Sequence, residues 1–254
     1  MNENFNWSYL ASYGSDTRNV ILSPGEWSKT SWLKFAGVAA VTGGLFFADK
    51  GIKRVIQRNQ SSFGDDFFDL FNTFGEINLM TPSILGAYLV GEFTANAKVK
   101  RVSLLLLKSL VITGVLQQGV SRLPHRHRPD ESPHDSHVWD GPNIDGSNLS
   151  FPSGHSSISF SVATTLSREF SDYQYSKHVF YMMCGLTALS RVYFNRHWVS
   201  DVVMGSAFGH YVSSVVHESN SKSGVTSQKN QGLQGFVPLF KEKRLAGVSL
   251  LYSF

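Results

Sequence analysis

The stretch Ser190-Arg191-Val192-Tyr193-Phe194-Asn195-Arg196-His197-Trp198-Val199-Ser200-Asp201 sets a histidine four residues before an aspartate and six after an arginine. On a helix, His197 and Asp201 share one face, and the carboxylate reaches an imidazole nitrogen. That pairing fixes the tautomer and makes the other ring nitrogen the better nucleophile. Arg191 offers a planar fork of donors suited to an oxyanion such as phosphate. Taken alone, a His and an Asp at helical spacing are more often a surface pair, so the reading depends on what else the chain carries.

Two further stretches change the balance. In Phe151-Pro152-Ser153-Gly154-His155, Pro and Gly flank a Ser just ahead of an apolar, Ser-rich run. The pattern predicts a helix N-terminus, where free backbone N–H groups and the helix dipole favour an anion. His155 falls in its first turn. In Arg122-Leu123-Pro124-His125-Arg126-His127-Arg128-Pro129, more guanidinium groups gather, and Pro129 leaves Arg128 at a helix edge or in a loop.

The order Arg-Pro, Pro-Ser-Gly-His, Ser-Arg-x5-His-x3-Asp resembles the type 2 phosphatidic acid phosphatase and vanadium haloperoxidase superfamily, over residues 67–216. The second and third motifs match in full. The first, Lys-x6-Arg-Pro in the family, has Ser121 where the Lys should stand, and Arg122 beside it is the candidate to take over its charge. The resemblance implies an all-α helical bundle with the three motifs at one end. It also implies a phosphatase that needs no metal and acts on phosphate esters or lipid (pyro)phosphates. Carried over by position, His197 attacks phosphorus and becomes a phosphohistidine, and Asp201 orients it. His155 protonates the leaving alkoxide and then activates water. Arg128, Arg191, Ser153 and the Gly154 amide hold the equatorial oxygens, with Arg122 in the place of the missing Lys. No cofactor is implied, except vanadate under the alternative of a haloperoxidase. That alternative ranks second because such enzymes are usually longer. A catalytically inactive envelope protein of the same fold ranks third.

Composition is compatible with this. Charged residues make up 17% of the 254, hydrophobic ones 42% and aromatics 13%. The charged fraction lies below the roughly 25% usual in soluble chains, which hints at a membrane or envelope, although the mean hydropathy is only -0.11. The formal charge of +4 is not gathered in one run, which disfavours nucleic acid and suits an anionic substrate. The single cysteine, Cys184, excludes an intrachain disulfide. The opening Met1-Asn2-Glu3-Asn4-Phe5-Asn6 lacks the basic and apolar regions of a secretory signal.

In chain order, residues 1–30 are expected to form an irregular N-terminal arm and 31–218 the helical phosphatase domain. Trp32 to Ala48 is apolar but shorter than the ~20 residues of a comfortable span, and 49–58 predicts an amphipathic helix with a basic face. No apolar segment runs clean for a membrane span. The long polar stretch 124–151 suggests a substrate-facing lid, its His and Asp spacings matching no metal pattern. Gly205 and Gly209, four apart, allow close helix packing. Residues 219–232 read as a flexible linker. Residues 233–254 read as a hairpin or tail, because alternation at Val248, Leu250, Tyr252 and Phe254 predicts a small β-hairpin. Localisation is expected on the periplasmic side of a bacterial envelope, with a lean to membrane association over a soluble form. The substrate expected is a phosphorylated small molecule or lipid.

Overall fold

In the computed structural model, residues 5–144, 146 and 149–221 are described with their side chains, together with the backbone of 222–231, 236–241 and 244–250. The described residues form eight α-helices and one two-stranded hairpin: α1 Trp7–Leu22, α2 Lys29–Arg58, α3 Ser62–Asn72, α4 Ile77–Phe93, α5 Ala97–Ser121, α6 Gly154–Glu169, α7 Ser176–Tyr193, α8 Val199–Gln231, β1 Phe236–Lys241 and β2 Arg244–Leu250. The fold is the all-α bundle expected, and the hairpin is the antiparallel pair that the terminal alternation predicts.

Four side chains set helix starts by accepting a first-turn N–H: Asn6 from Tyr9, Ser28 from Ser31, Ser61 from Gly64 and Asn96 from Val99. The segment expected to be an irregular arm is therefore mostly α1. Its polar composition hides a buried edge, Tyr9, Asp16 and Val20. Lys108 of α5 reaches that edge. Its ammonium donates to Ser12 Oγ at 2.6 Å, Asp16 Oδ2 at 2.8 Å and Asn220 Oδ1 at 3.0 Å, tying α1 to α5 and α8.

The structure corrects two further expectations. The apolar run from Trp32 and the basic segment after it are one 30-residue helix, ~45 Å long at 1.5 Å per residue. Among the described residues α2 is the helix long and apolar enough to cross a membrane, and only 6% of its apolar window is buried. The stretch 219–231, read as a linker, continues α8. Polar residues without proline propagate a helix that has already nucleated on the bundle.

α6 is the axis of the bundle, flanked by α5, α7 and α8. Its buried side chains are mainly Ser and Thr, and these satisfy themselves locally, as where Ser157 Oγ donates to Ser153 O at 2.8 Å. Small residues let α8 approach closely. A Cβ placed on Gly205 would lie 2.5 Å from Ser153 O, and one on Gly209 would collide with Ser157 O. Both contacts are with backbone, which cannot swing aside. Gly209→Ala is expected to cost about 1–3 kcal/mol, measured as a lower denaturation midpoint. Apolar layers close the remaining faces: Val20, Leu105, Ile112, Val212 and Val216 on one side, Ile84, Val102, Leu106, Leu110 and Ile158 on another.

Candidate active site

The third motif is not one helix. α7 ends at Tyr193, Asn195 takes a left-handed φ of 60°, and α8 starts at Val199. The turn folds back on itself: the N–H groups of Arg196 and His197 donate to Arg191 O at 2.9 and 3.2 Å. This brings His197, in the loop, beside the last turn of α7.

The expected direct pair between His197 and Asp201 is consequently loose, with Nδ1 and Oδ2 3.9 Å apart. His197 Nδ1 instead donates to the Ser150 carbonyl at 2.9 Å. The Ser150 hydroxyl donates to Asp201 Oδ2 at 2.6 Å. Ser150 thus stands between the two. The outcome for the tautomer is unchanged: the proton sits on Nδ1 and the lone pair on Nε2.

Asp201 is held from several sides. The Trp198 N–H donates to Oδ2 at 2.9 Å, and the Arg126 guanidinium donates to Oδ1. Arg126 has no solvent exposure and also donates to Ser200 Oγ, the Ser136 carbonyl and Asp49 Oδ2 of α2 at 2.8 Å. Its plane lies 4.8 Å from the Phe46 ring centre, 5.0 Å from Trp139 and 5.5 Å from Trp198. Asp49 Oδ1 also accepts the Ser200 N–H at 3.0 Å, at the open end of α8. Sequence reading missed both Arg126 and Asp49. Burial lifts the Asp201 carboxyl to about 6, against the pull of Arg126, Ser150 and the Trp198 amide.

The second motif docks on the same helix end. The Ser153 N–H donates to Asp201 O at 3.0 Å, and the Ser153 hydroxyl accepts from Ser156 Oγ at 3.0 Å at the N-cap of α6. The Ser153 amide is therefore taken, and the first-turn amides of Gly154 and His155 are the ones left without a helical acceptor. Gly154 packs beside Gln117 of α5: a Cβ there would lie 3.3 Å from Gln117 Oε1.

Arg128 and Arg191 lie close enough to lower both His155 and His197. His197 is held well below the ordinary histidine value, by burial first and then by Arg128, Arg191 and His155. Burial with Arg191 and Arg128 pushes His155 down to about 3. Burial, Arg128 and Arg196 bring Arg191 down to about 10. Arg191 donates through Nη1 to Asn72 Oδ1, while its Nε is buried with no hydrogen-bond partner, as is His155 Nε2. Guanidinium charge beside unspent buried nitrogens is an environment chemically suited to an oxyanion.

One expected ligand stands apart. Arg122 is spent on its own helix, donating from Nη1 to Gln118 O at 2.7 Å and Oε1 at 3.0 Å. Ser121, at the expected Lys position, is fully buried and accepts from Gln117 Nε2 at 2.7 Å, and that same nitrogen donates to Pro152 O at 2.8 Å. A neutral Gln–Ser pair supports the turn where a cation was expected. Residues 124–144, within the stretch expected to be a lid, pack as a wall: Trp198 Nε1 donates to His127 O at 2.9 Å and Lys53 of α2 donates to Pro129 O at 2.6 Å. Among the described residues its His and Asp side chains form no group of three placed to hold a metal ion.

A helical bundle with these three motifs at one end defines the PAP2 superfamily. Residues 102–224, which carry all three, match that superfamily's model, and the chain belongs to it. The fold resembles the crystal structure of a transmembrane PAP2-type phosphatidylglycerolphosphate phosphatase from Bacillus subtilis, with a TM-score of 0.55 and 20% identity over 75% of this chain and 94% of that one. LpxE from Aquifex aeolicus gives a TM-score of 0.48 and 21% identity over 66% of this chain and 93% of that one. A lipid A 1-phosphatase from Porphyromonas gingivalis is 38% identical over 65 residues, 24% of this chain and 14% of that relative.

Proposed function

We propose that the protein is a lipid phosphate phosphatase that works through a phosphohistidine at His197 and requires no metal ion. The observation that carries this reading is the pair of buried nitrogens without partners, His155 Nε2 and Arg191 Nε, in the same charged neighbourhood as Arg128 and a neutral His197. Phosphoryl transfer spreads charge over three oxygens, and its catalysis is mainly positioning and charge stabilisation. Arg128, Arg191 and the first amides of α6 answer that need.

The steps follow from the tautomer. His197 Nε2, kept unprotonated by the Nδ1–H bond to Ser150 O, attacks phosphorus. The N–P bond forms, the ester P–O bond breaks, and the leaving oxygen takes a proton from His155. Water then attacks the phosphohistidine with His155 as base, and the N–P electron pair returns to His197. His155 is held neutral in the free enzyme by its burial and by the Arg191 and Arg128 guanidinium groups. A phosphate dianion bound among them reverses that field, so His155 takes up its proton as substrate binds. Asp201, next to the Ser150 bridge, stabilises the charge that His197 acquires.

Membrane association belongs to the same reading. α2 exposes Trp32, Leu33, Phe35, Val41 and Phe47 along its apolar length. Asp49, at the end of that run, is part of the site, which puts the chemistry at the border of the apolar layer, where a lipid headgroup lies. The Bacillus subtilis and Porphyromonas gingivalis relatives are named for lipid phosphates, and a phosphorylated lipid is the substrate proposed here.

The test is to trap the intermediate. Enzyme mixed with ³²P-labelled short-chain phosphatidic acid in the presence of EDTA is quenched in alkali. The expected result is protein-bound label that survives alkali and is lost in mild acid. Turnover without such label, or turnover that EDTA abolishes, overturns the mechanism.

A further inference from the structure

Beside His155 stands an acidic group that phosphate recognition does not require. Glu76 Oε1 lies 3.8 Å from His155 Nε2, the nitrogen without a hydrogen-bond partner. The Glu76 carboxylate is about half-exposed, so it faces the approach to the site rather than its buried floor. Its position is fixed by its neighbour. Gly75 closes a 3-10 turn, Thr73–Gly75, pressed so hard on the site that a Cβ would lie 2.9 Å from His155 Cβ and 3.0 Å from Thr187 Cγ2. A second, independent feature concerns the positive charge available. With the Gln117–Ser121 pair in place of a lysine and Arg122 spent on Gln118, the motif cations gathered around His155 and His197 are Arg128 and Arg191. Two guanidinium groups match the charge of one phosphate.

We propose that Glu76 makes the site selective for phosphate monoesters of neutral alcohols and discriminates against diphosphates. This rests on the phosphatase reading, with His155 as the acid. The atoms that follow the leaving oxygen then lie within a few ångströms of the Glu76 carboxylate. In a monoester they are the carbons of a neutral alcohol, which the carboxylate does not repel. In a diphosphate the same place holds a second phosphate, whose negative charge meets a like charge, while Arg196, the further guanidinium near Arg191, is paired with Asp130 at 2.9 Å. The bond changes are the same for both. His197 Nε2 bonds to the terminal phosphorus, the bridging P–O bond breaks with its electron pair on oxygen, and His155 supplies that oxygen's proton. Water then releases phosphate and restores the proton to His155.

The experiment compares farnesyl monophosphate with farnesyl diphosphate in mixed detergent micelles, following phosphate release by wild type, Glu76→Gln, Glu76→Asp and His197→Ala. The two substrates share one lipid tail, so their ratio reports the second phosphate alone. Wild type is expected to prefer the monophosphate. Glu76→Gln is expected to shift the diphosphate-to-monophosphate ratio of kcat/KM about tenfold toward the diphosphate, as for removing one like charge at a partly screened distance. Glu76→Asp keeps the wild-type preference, and the gain in Glu76→Gln shrinks as salt rises. A merely structural role would move both substrates together. His197-dependent release with an unchanged ratio in Glu76→Gln overturns the selectivity. No His197-dependent release from either substrate overturns the phosphatase reading, and the selectivity with it.

Discussion

His197→Ala is expected to lower phosphate release by ~10⁴–10⁶-fold, the usual cost of deleting a nucleophile, with the denaturation midpoint shifted little. The side chain is 3% exposed, and its bond to the Ser150 carbonyl leaves that acceptor unfilled when the ring is removed. This is a modest structural loss beside the chemical one. Phosphate binding is expected to survive, because Arg128, Arg191 and the α6 amides remain. The expected signature is therefore a collapse of kcat with substrate or phosphate affinity largely kept, measured by turnover and by equilibrium binding. The wild-type pH profile carries the same information. Burial and two guanidinium groups hold His197 below the ordinary histidine value in the free enzyme. The acid limb of kcat/KM is thus expected below pH 6.5, since the neutral nucleophile persists as pH falls. An acid limb above that value would show His197 is not the group that must be neutral.

Arg126→Met is expected to be the most damaging change that touches no substrate. It removes the cation shared by Asp49 and Asp201, both fully buried, and leaves two carboxylates facing each other across the gap. Breaking a buried pair from one side costs about 3–5 kcal/mol. Activity should fall as well, because Asp201 would lose one of the donors that aim it at Ser150. The double variant Arg126→Met with Asp49→Asn separates these effects. It removes one of the stranded charges and is expected to recover much of the denaturation midpoint but little of the turnover. Recovery of both would make Arg126 a purely structural group.

These residues also show where sequence reading stops. The three motifs were legible because each carries its chemistry within a few positions: a capped helix start at Ser153, a His and an Asp four apart, an Arg before a Pro. Helix packing through Gly205 and Gly209 was legible for the same reason. The loose His197–Asp201 contact was not, because the helical spacing gave no warning of the left-handed turn at Asn195. Arg126 and Asp49 are 77 positions apart, and no periodicity links them. Asp49 reads as one polar residue at the end of an apolar run, and Arg126 as one of several in a basic loop. Burial decides their role, and burial arises from the meeting of α2, α8 and the 124–144 wall. α1 was hidden by its polar composition, and the continuity of α2 by the change from apolar to basic at Ala48.

Asp49 has one more consequence. The stretch that matches the superfamily model begins at residue 102, yet Asp49, Lys53 and Glu76 all stand before it. Asp49 fastens the start of α8, which carries Asp201, Lys53 fastens the wall behind Arg128, and Glu76 lies beside His155. The recognisable segment is therefore not a module that can be cut out and moved. A chimera that grafts 102–224 onto another member's first helices would inherit every motif residue and lose the struts that align them. Only a donor with an acid at the position of Asp49 would restore a working centre.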